Sequence, residues 1–155
     1  MKRWKELYDN YGPWAVTMYN PDLVSIDPGV AYYAEATWVG RSLDTARLVK
    51  NTDPVVWSVN AFVIESQYLD RRGAARTDDV IALAQAAGRI AANYPDARWV
   101  LPGLWKGGVP KSAHQKRIRA VLTSEEGDKL AGMNKGTLKQ VLDAIGLGLW
   151  ALGRL

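Results

Sequence analysis

The sequence predicts an α/β fold in which one mixed five-stranded sheet is flanked by helices. Two observations predict it: apolar runs of strand length dominate the first half of the chain, and helical patterns enclose a single strand in the second half. Consecutive strands favour antiparallel pairing, whereas a strand, a helix and a further strand favour parallel pairing. The predicted order is therefore β-β-β-β-α-β-α-α.

Four strand signals precede the first long helix. Residues 23–27 form a short apolar run that ends at the turn signal Pro28-Gly29, and residues 30–39 can pair back onto it as a hairpin. The remaining strands are predicted at residues 45–50, 56–65 and 97–101.

Helical spacing of apolar residues predicts the remaining elements. Thr77 is a suitable N-cap, and Asp78 and Asp79 follow in the first turn, where the helix dipole favours negative charge. Helices are predicted at residues 77–93, 111–122 and 137–152, with a short amphipathic helix at residues 2–11.

Length and composition indicate one domain with an N-terminal aromatic extension. The chain has 155 residues, of which 1–22 form the extension and 23–155 the folded domain. The net charge of +4 and the pI of about 9.4 are compatible with a polyanionic partner. The absence of cysteine excludes disulfides and thiolate zinc sites. The first residues lack the apolar stretch of a signal peptide and no apolar run reaches membrane length, so we expect neither a signal peptide nor a membrane span. We expect a cytoplasmic protein without a membrane partner.

Three acidic residues are placed where burial is expected. Asp27 ends the first strand, Glu65 ends the strand at 56–65, and Asp143 lies inside an apolar helix. Desolvating an unpaired carboxylate costs several kcal/mol, so buried acids need a partner. Hard divalent cations take oxygen ligands of this kind, and two such ions are the usual catalysts of phosphodiester cleavage. The three acids therefore predict a shared cation site.

The sequence around these acids resembles the RuvC family of Holliday-junction resolvases in its compact phage-type form. The matching motifs are Leu-Val-Ser-Ile-Asp27-Pro-Gly, Val-Ile-Glu65-Ser-Gln-Tyr68 and Leu-Asp143-Ala-Ile-Gly-Leu-Gly-Leu-Trp, in the family's order and within roughly residues 22–152. The resemblance implies an RNase H-like fold for the domain 23–155. It also implies a homodimer that cuts four-way DNA junctions with two Mg²⁺ or Mn²⁺ ions.

The resemblance assigns metal ligands residue by residue. Asp27 corresponds to the aspartate shared by both ions, and Glu65 and Asp143 to the other two acids. Gln140 stands where the family carries a fourth ligand, and an amide oxygen binds a hard cation only weakly. Either the second ion binds loosely, or an acid from residues 125–128 completes the site.

The resemblance also predicts DNA contacts. Tyr68 corresponds to an aromatic that probes the junction centre, where stacking on an unpaired base contributes about 1–3 kcal/mol; the alternative is a core aromatic. Lys106 and Lys111 correspond to two lysines at the scissile region and act in catalysis and DNA binding. Basic residues also predict phosphate contacts, at Arg71, Arg72, Arg76, His114, Lys116 and Arg117. Lys116, Arg117 and Arg119 are alternatively a solvated helix face. His114, the single histidine, is alternatively a structural residue or part of a proton relay.

The predicted function is a homodimeric, Mg²⁺-dependent endonuclease that makes symmetric nicks in four-way junctions during recombination or phage DNA processing. The small-residue helix at 77–93 is assigned to the dimer interface by the resemblance. Gly146 and Gly148 predict that another backbone packs closely against the last helix. Two alternatives stay open: a broader structure-specific nuclease for flaps and forks, and a non-catalytic junction-binding protein.

Overall fold

The computed structural model describes residues 21–52, 57–66 and 77–155. The strands are β1 (Leu23–Asp27), β2 (Tyr32–Val39), β3 (Ser42–Lys50), β4 (Ala61–Glu65) and β5 (Arg98–Val100). The helices are α1 (Thr77–Ala91), α2 (Pro102–Trp105), α3 (Lys111–Val121), α4 (Ser124–Asp128) and α5 (Lys135–Ala151). The predicted helix at residues 2–11 and most of the aromatic extension lie outside the described residues.

The strands form one mixed sheet in the order β3-β2-β1-β4-β5. The β1–β2 and β2–β3 pairs are antiparallel, and the β1–β4 and β4–β5 pairs are parallel. The predicted mixed five-stranded sheet is therefore confirmed. Within the described ranges no helix is both long and apolar enough to cross a bilayer.

Two strands, β3 and β4, begin at other residues than the sequence predicted. The fourth strand was predicted from residue 56, but β4 begins at Ala61. Trp57 is instead held by side chains, because its backbone N–H donates to the Tyr94 hydroxyl at 2.6 Å and its indole Nε1 donates to Glu35 at 2.8 Å. The third strand begins earlier than predicted, at Ser42, because Gly40 adopts φ of 57° and permits a tight turn after β2.

Alternation along β1 divides the core between the two faces of the sheet. Val24 and Ile26 face a cluster that contains Ile90 of α1, whereas Leu23 belongs to the cluster built around α5. Ser25 points to the α5 side, where its hydroxyl donates to the carbonyl of Ala144 at 2.8 Å. Asp27 follows in the same alternation and therefore lies on the α5 face.

Two short helices, α2 and α4, were not predicted from the sequence. A reciprocal capping box starts α4: the Thr123 hydroxyl accepts from the Glu126 backbone, and the Glu126 carboxylate accepts from the Thr123 backbone. The same carboxylate pairs with Arg154 at 2.7 Å and accepts from the backbone N–H of Leu43 at 2.8 Å. These contacts place α4 beside the start of β3.

Candidate active site

Two of the three acids meet because their strands are parallel neighbours. Register along β1 and β4 pairs Ile26 with Ile64, so Asp27 and Glu65 are the next residues on adjacent strands. Parallel strands end at the same edge of a sheet, and both acids lie at that edge. The predicted proximity of Asp27 and Glu65 is confirmed.

The third acid is brought to this edge by the packing of α5 on the sheet. Asp143 precedes Ala144, whose carbonyl accepts the Ser25 hydrogen bond, and is only 3% exposed. A Cβ on Gly146 would lie 2.5 Å from the Ile118 side chain, and one on Gly148 would overlap the Trp38 indole. The predicted close backbone packing at these glycines is wrong: side chains approach the helix there, and they fix its position on the sheet.

Two lysines lie against the buried acids. The Lys106 ammonium is 2.7 Å from Glu65 Oε2, and the Lys111 ammonium is 2.6 Å from Asp143 Oδ2. Glu65 Oε2 also accepts from the indole Nε1 of Trp105 at 3.0 Å. The site is therefore a cluster of three acids and two bases, and both predicted catalytic lysines lie in it.

Burial and mutual repulsion control the charge of the cluster. Burial, followed by the charges of Glu65 and Asp143, raises the pKa of Asp27 to about 8, against the opposing effect of the two lysines. Burial also raises the pKa of Glu65, although Lys106 opposes the shift. Burial alone would lower the pKa of Lys106, but the charge and hydrogen bond of Glu65, together with the charges of Asp27 and Asp143, outweigh burial and raise that pKa. In the described part of the chain, Asp27 has no salt bridge, so it is the acid in need of a cation or a proton.

The carboxylate and amide oxygens of the site are ligands that suit a hard divalent ion, but the carboxylates are not arranged as a complete set of ligands for one ion. Across the described ranges, no three or more His, Asp or Glu side chains are grouped closely enough to hold one ion. Glu65 and Asp143 are nevertheless near enough to Asp27 to raise its pKa, and Gln140 lines a cleft together with Asp27. Asp27, Glu65, Asp143 and Gln140 are the residues that would hold an ion. Lys106 and Lys111 lie beside two of them, Glu65 and Asp143.

The acidic alternative to Gln140 is wrong. Glu126 is committed to Arg154, which lowers its pKa to about 2 through a side-chain hydrogen bond. The helix that carries Glu126 lies beside Leu43 at the start of β3. Because β3 pairs with β2 and β2 pairs with β1, Leu43 is level with the start of β1, and Asp27 is at the end of that strand. Residues 125–128 are therefore at the opposite edge of the sheet from Asp27.

The phosphate contact predicted for His114 is also wrong. The imidazole is 2% exposed and packs edge-on against Trp105, with ring centroids 4.9 Å apart. Neither ring nitrogen has a hydrogen-bond partner among the described residues, and burial, followed by Lys106 and Arg117, lowers its pKa while Asp143 opposes the shift. A buried neutral imidazole supports Trp105 and does not reach DNA.

Some of the other predicted DNA contacts are exposed on the surface, and the rest lie outside the residues that the structure describes. Lys116, Arg117 and Arg119 are exposed on α3, which is compatible with either DNA contact or a solvated face. The contacts predicted at Tyr68, Arg71, Arg72 and Arg76 lie outside the described residues.

Two residues of the site were missed from the sequence. Trp105 hydrogen-bonds Glu65, and Gln115 places its amide 3.5 Å from Asp143 Oδ1 and 2.9 Å from the carbonyl of Lys139. Gln115 follows Lys111 by four residues, so the two share one face of α3. That spacing was the available signal, whereas nothing local distinguishes Trp105 from the other tryptophans.

Two solved structures share this fold over most of the chain. Thermus thermophilus RuvC, in complex with a Holliday junction substrate, aligns with a TM-score of 0.57 and 16% identity over 82% of this chain and 90% of its own. The Fowlpox virus resolvase, in complex with Holliday junction DNA, aligns with a TM-score of 0.56 and 15% identity over 86% of this chain and 99% of its own. The RNase H-like fold implied by the sequence resemblance is thereby confirmed. No protein family and no curated protein matches the sequence.

Proposed function

We propose that this protein is a metal-dependent endonuclease that resolves four-way DNA junctions. The observation that carries the proposal is the cluster of Asp27, Glu65 and Asp143 at one sheet edge, with Lys106 and Lys111 beside it. The fold is that of two proteins solved with Holliday junction DNA. An acid cluster at this position is costly to fold and of no use for simple phosphate binding, since carboxylates repel phosphate.

The chain supplies binding, orientation and charge. Bound Mg²⁺ or Mn²⁺, with two ions per site expected, would supply activation of the attacking water and stabilisation of the leaving oxygen. The three carboxylates would hold the ions, with Gln140 as a neutral ligand. Lys111 has a side chain that is 67% exposed, so it can turn from Asp143 to a phosphate without unfolding its helix. Trp105 fixes the orientation of Glu65 through its indole hydrogen bond.

Junction resolution requires two opposed sites, and we propose a homodimer. Within the described residues, α1 exposes Ile81 (50% exposed), Ala84 and Gly88, which share one face at a spacing of three and four residues. Small residues let a second helix approach closely. The occupant is a second copy of this chain, because two-fold symmetry places the two sites on opposing strands of a junction.

A gel assay on synthetic DNA tests the proposal. A four-way junction, a forked duplex, a flap and a linear duplex of matched length are incubated with Mg²⁺, Mn²⁺ or chelator, and products are mapped on both strands. We expect paired nicks at symmetric positions in the junction, none in chelator, and little cleavage of linear duplex. Equal cleavage of forks and flaps would favour a broader structure-specific nuclease. Binding without cleavage under every metal condition would favour a junction-binding protein.

The dimer is tested separately by light scattering. Ile81→Asp places a charge on the proposed interface and should yield monomers, whereas Asp96→Asn, in the exposed turn before β5, should not. A monomeric wild type would refute the symmetric mechanism while leaving single-site cleavage possible.

A further inference from the structure

The turn after β1 forms one wall of a cleft beside the acid cluster. The cleft has a volume of about 360 Å³, and Asp27, Val30, Tyr32 and Gln140 are among its lining residues. The cleft is therefore adjacent to Asp27, the acid that has no salt bridge within the described ranges.

Tyr32 is an uncovered aromatic on this wall. Alternation along β2 puts its side chain on the same sheet face as Ala34 and Ala36, which α5 buries. Ala34 pairs in register with Asp27, so Tyr32 lies two residues beyond that level, past the end of β1, and lines the cleft. The ring is 46% exposed there, whereas Tyr33 on the opposite face is 1% exposed.

The backbone that carries Tyr32 is fixed by Asn51. Its side-chain amide donates to the carbonyls of Gly29 at 2.8 Å and Val30 at 2.7 Å, and its backbone N–H donates to the carbonyl of Ala31 at 3.0 Å. A Cβ on Gly29 would overlap the carbonyl of Tyr32, so the turn closes tightly only with glycine. The exposed ring is thus held on a rigid support.

Positive charge flanks this aromatic surface. Lys50 is exposed and pairs directly with Tyr32 across β2 and β3. Lys111 lies at the acid cluster with a largely exposed side chain. An aromatic ring can stack on an unpaired base, and nearby cations can bind the phosphates next to that base. Proteins that bind single-stranded nucleotides combine these two features.

We propose that Tyr32 is a specificity-determining residue that packs against the base next to the scissile phosphate. The inference rests on the proposed nuclease function and adds the part of the substrate that this surface contacts. Ions held by Asp27 and its neighbours would contact the reacting phosphate, and the adjoining base extends along the cleft onto the ring. Asn51 is a positioning residue, because it holds the turn that carries Tyr32 and would affect the base only through Tyr32.

The test uses a four-way junction with 2-aminopurine next to the mapped scissile phosphate, in chelator so that no cleavage occurs. Binding by the wild type should quench the probe, and Tyr32→Phe should retain the quenching. Tyr32→Ala should lose it. With metal, Tyr32→Ala should reduce the rate ratio between the most and least preferred base at that position by at least about fivefold. Val39→Ala, at the opposite end of β2 with 47% exposure, is the matched control and should change neither readout.

The outcomes separate the inference from the function on which it rests. If the wild type cleaves junctions but Tyr32→Ala keeps both the quenching and the base preference, the inference is overturned and the nuclease proposal stands. If the wild type neither binds nor cleaves branched DNA, both are overturned. Tyr32→Val keeps a good strand residue without a ring and replaces Tyr32→Ala if that variant does not fold.

Discussion

The ammonium of Lys106 lies 2.7 Å from Glu65 Oε2, where the lysine side chain is 27% exposed and the carboxylate 7%. Lys111 and Asp143 repeat the arrangement at 2.6 Å. The lysines therefore neutralise two of the three acids. Under the proposed function, a divalent ion held by these acids would compete with both ammonium groups, and its binding would free the lysines for phosphate.

Replacing Lys106 should separate ion binding from catalysis. Lys106→Met removes the charge but keeps the aliphatic chain, so the metal-binding acids lose a competitor and Mn²⁺ affinity should rise at least about tenfold. Junction cleavage should nevertheless fall if the lysine also contacts the DNA, as the sequence resemblance implies. Titration calorimetry without DNA measures the affinity, and Lys135→Met, at the exposed start of α5, is the control. Unchanged affinity would mean that Lys106 does not compete with the ion.

The raised pKa of Asp27 predicts how the stability of the metal-free protein depends on pH. Folding raises this pKa from 3.8 to about 8, so the folded state binds more protons between these values and its free energy of unfolding should fall as pH rises through them. Asp27→Asn removes this dependence. In chelator, the melting temperature of the variant should exceed that of wild type by more at pH 8 than at pH 4. A constant difference would contradict the assignment.

Gln140→Asp should strengthen the ion site. Gln140 lines the cleft with Asp27, and exchanging its amide for a carboxylate adds charge at the place where a further ligand is expected. The Mg²⁺ concentration for half-maximal junction cleavage should decrease, and Mn²⁺ should support the wild type better than Mg²⁺. A titration curve that matches wild type would exclude Gln140 as a ligand.

Gly148→Ala should destabilise the fold that carries Asp143. The added methyl group would overlap the Trp38 indole, and overpacking of a core typically costs about 1–3 kcal/mol. Chemical denaturation measures the loss. Gly127→Ala in α4 is the control, because a methyl group there meets nothing within 4 Å. Equal stability of the two variants would show that the contact at Gly148 is relieved easily.

Local sequence patterns predicted the position of those site residues that lie at the end of a strand. Asp27 and Glu65 could be brought together from the sequence because each closes an apolar strand, and parallel neighbours end at one edge. The ion pairs of Lys106 and Lys111 could not, because long side chains find partners through tertiary packing that has no local period. The burial of His114 was missed for the same reason: its basic neighbours on α3 are exposed, and Trp105, which covers it, comes from another element.

Short elements and strand starts were the other errors. The sequence Thr123-Ser-Glu-Glu126 carries the capping-box signature and could have predicted α4. The delayed start of β4 could not have been foreseen, because Trp57 has strand character in sequence and is diverted by Tyr94 and Glu35, which are distant in the chain.

Cleavage of a four-way junction by Asp27→Asn tests the central claim most directly. Removing this carboxylate should abolish nicking while junction binding stays intact or improves, because less negative charge faces the phosphates. Asp96→Asn, an exposed aspartate before β5, should cleave like wild type. Gel-shift and single-turnover cleavage assays with Mg²⁺ and Mn²⁺ on the same junction give both quantities. Nicking by Asp27→Asn at nearly the wild-type rate would contradict a catalytic centre at the acid cluster.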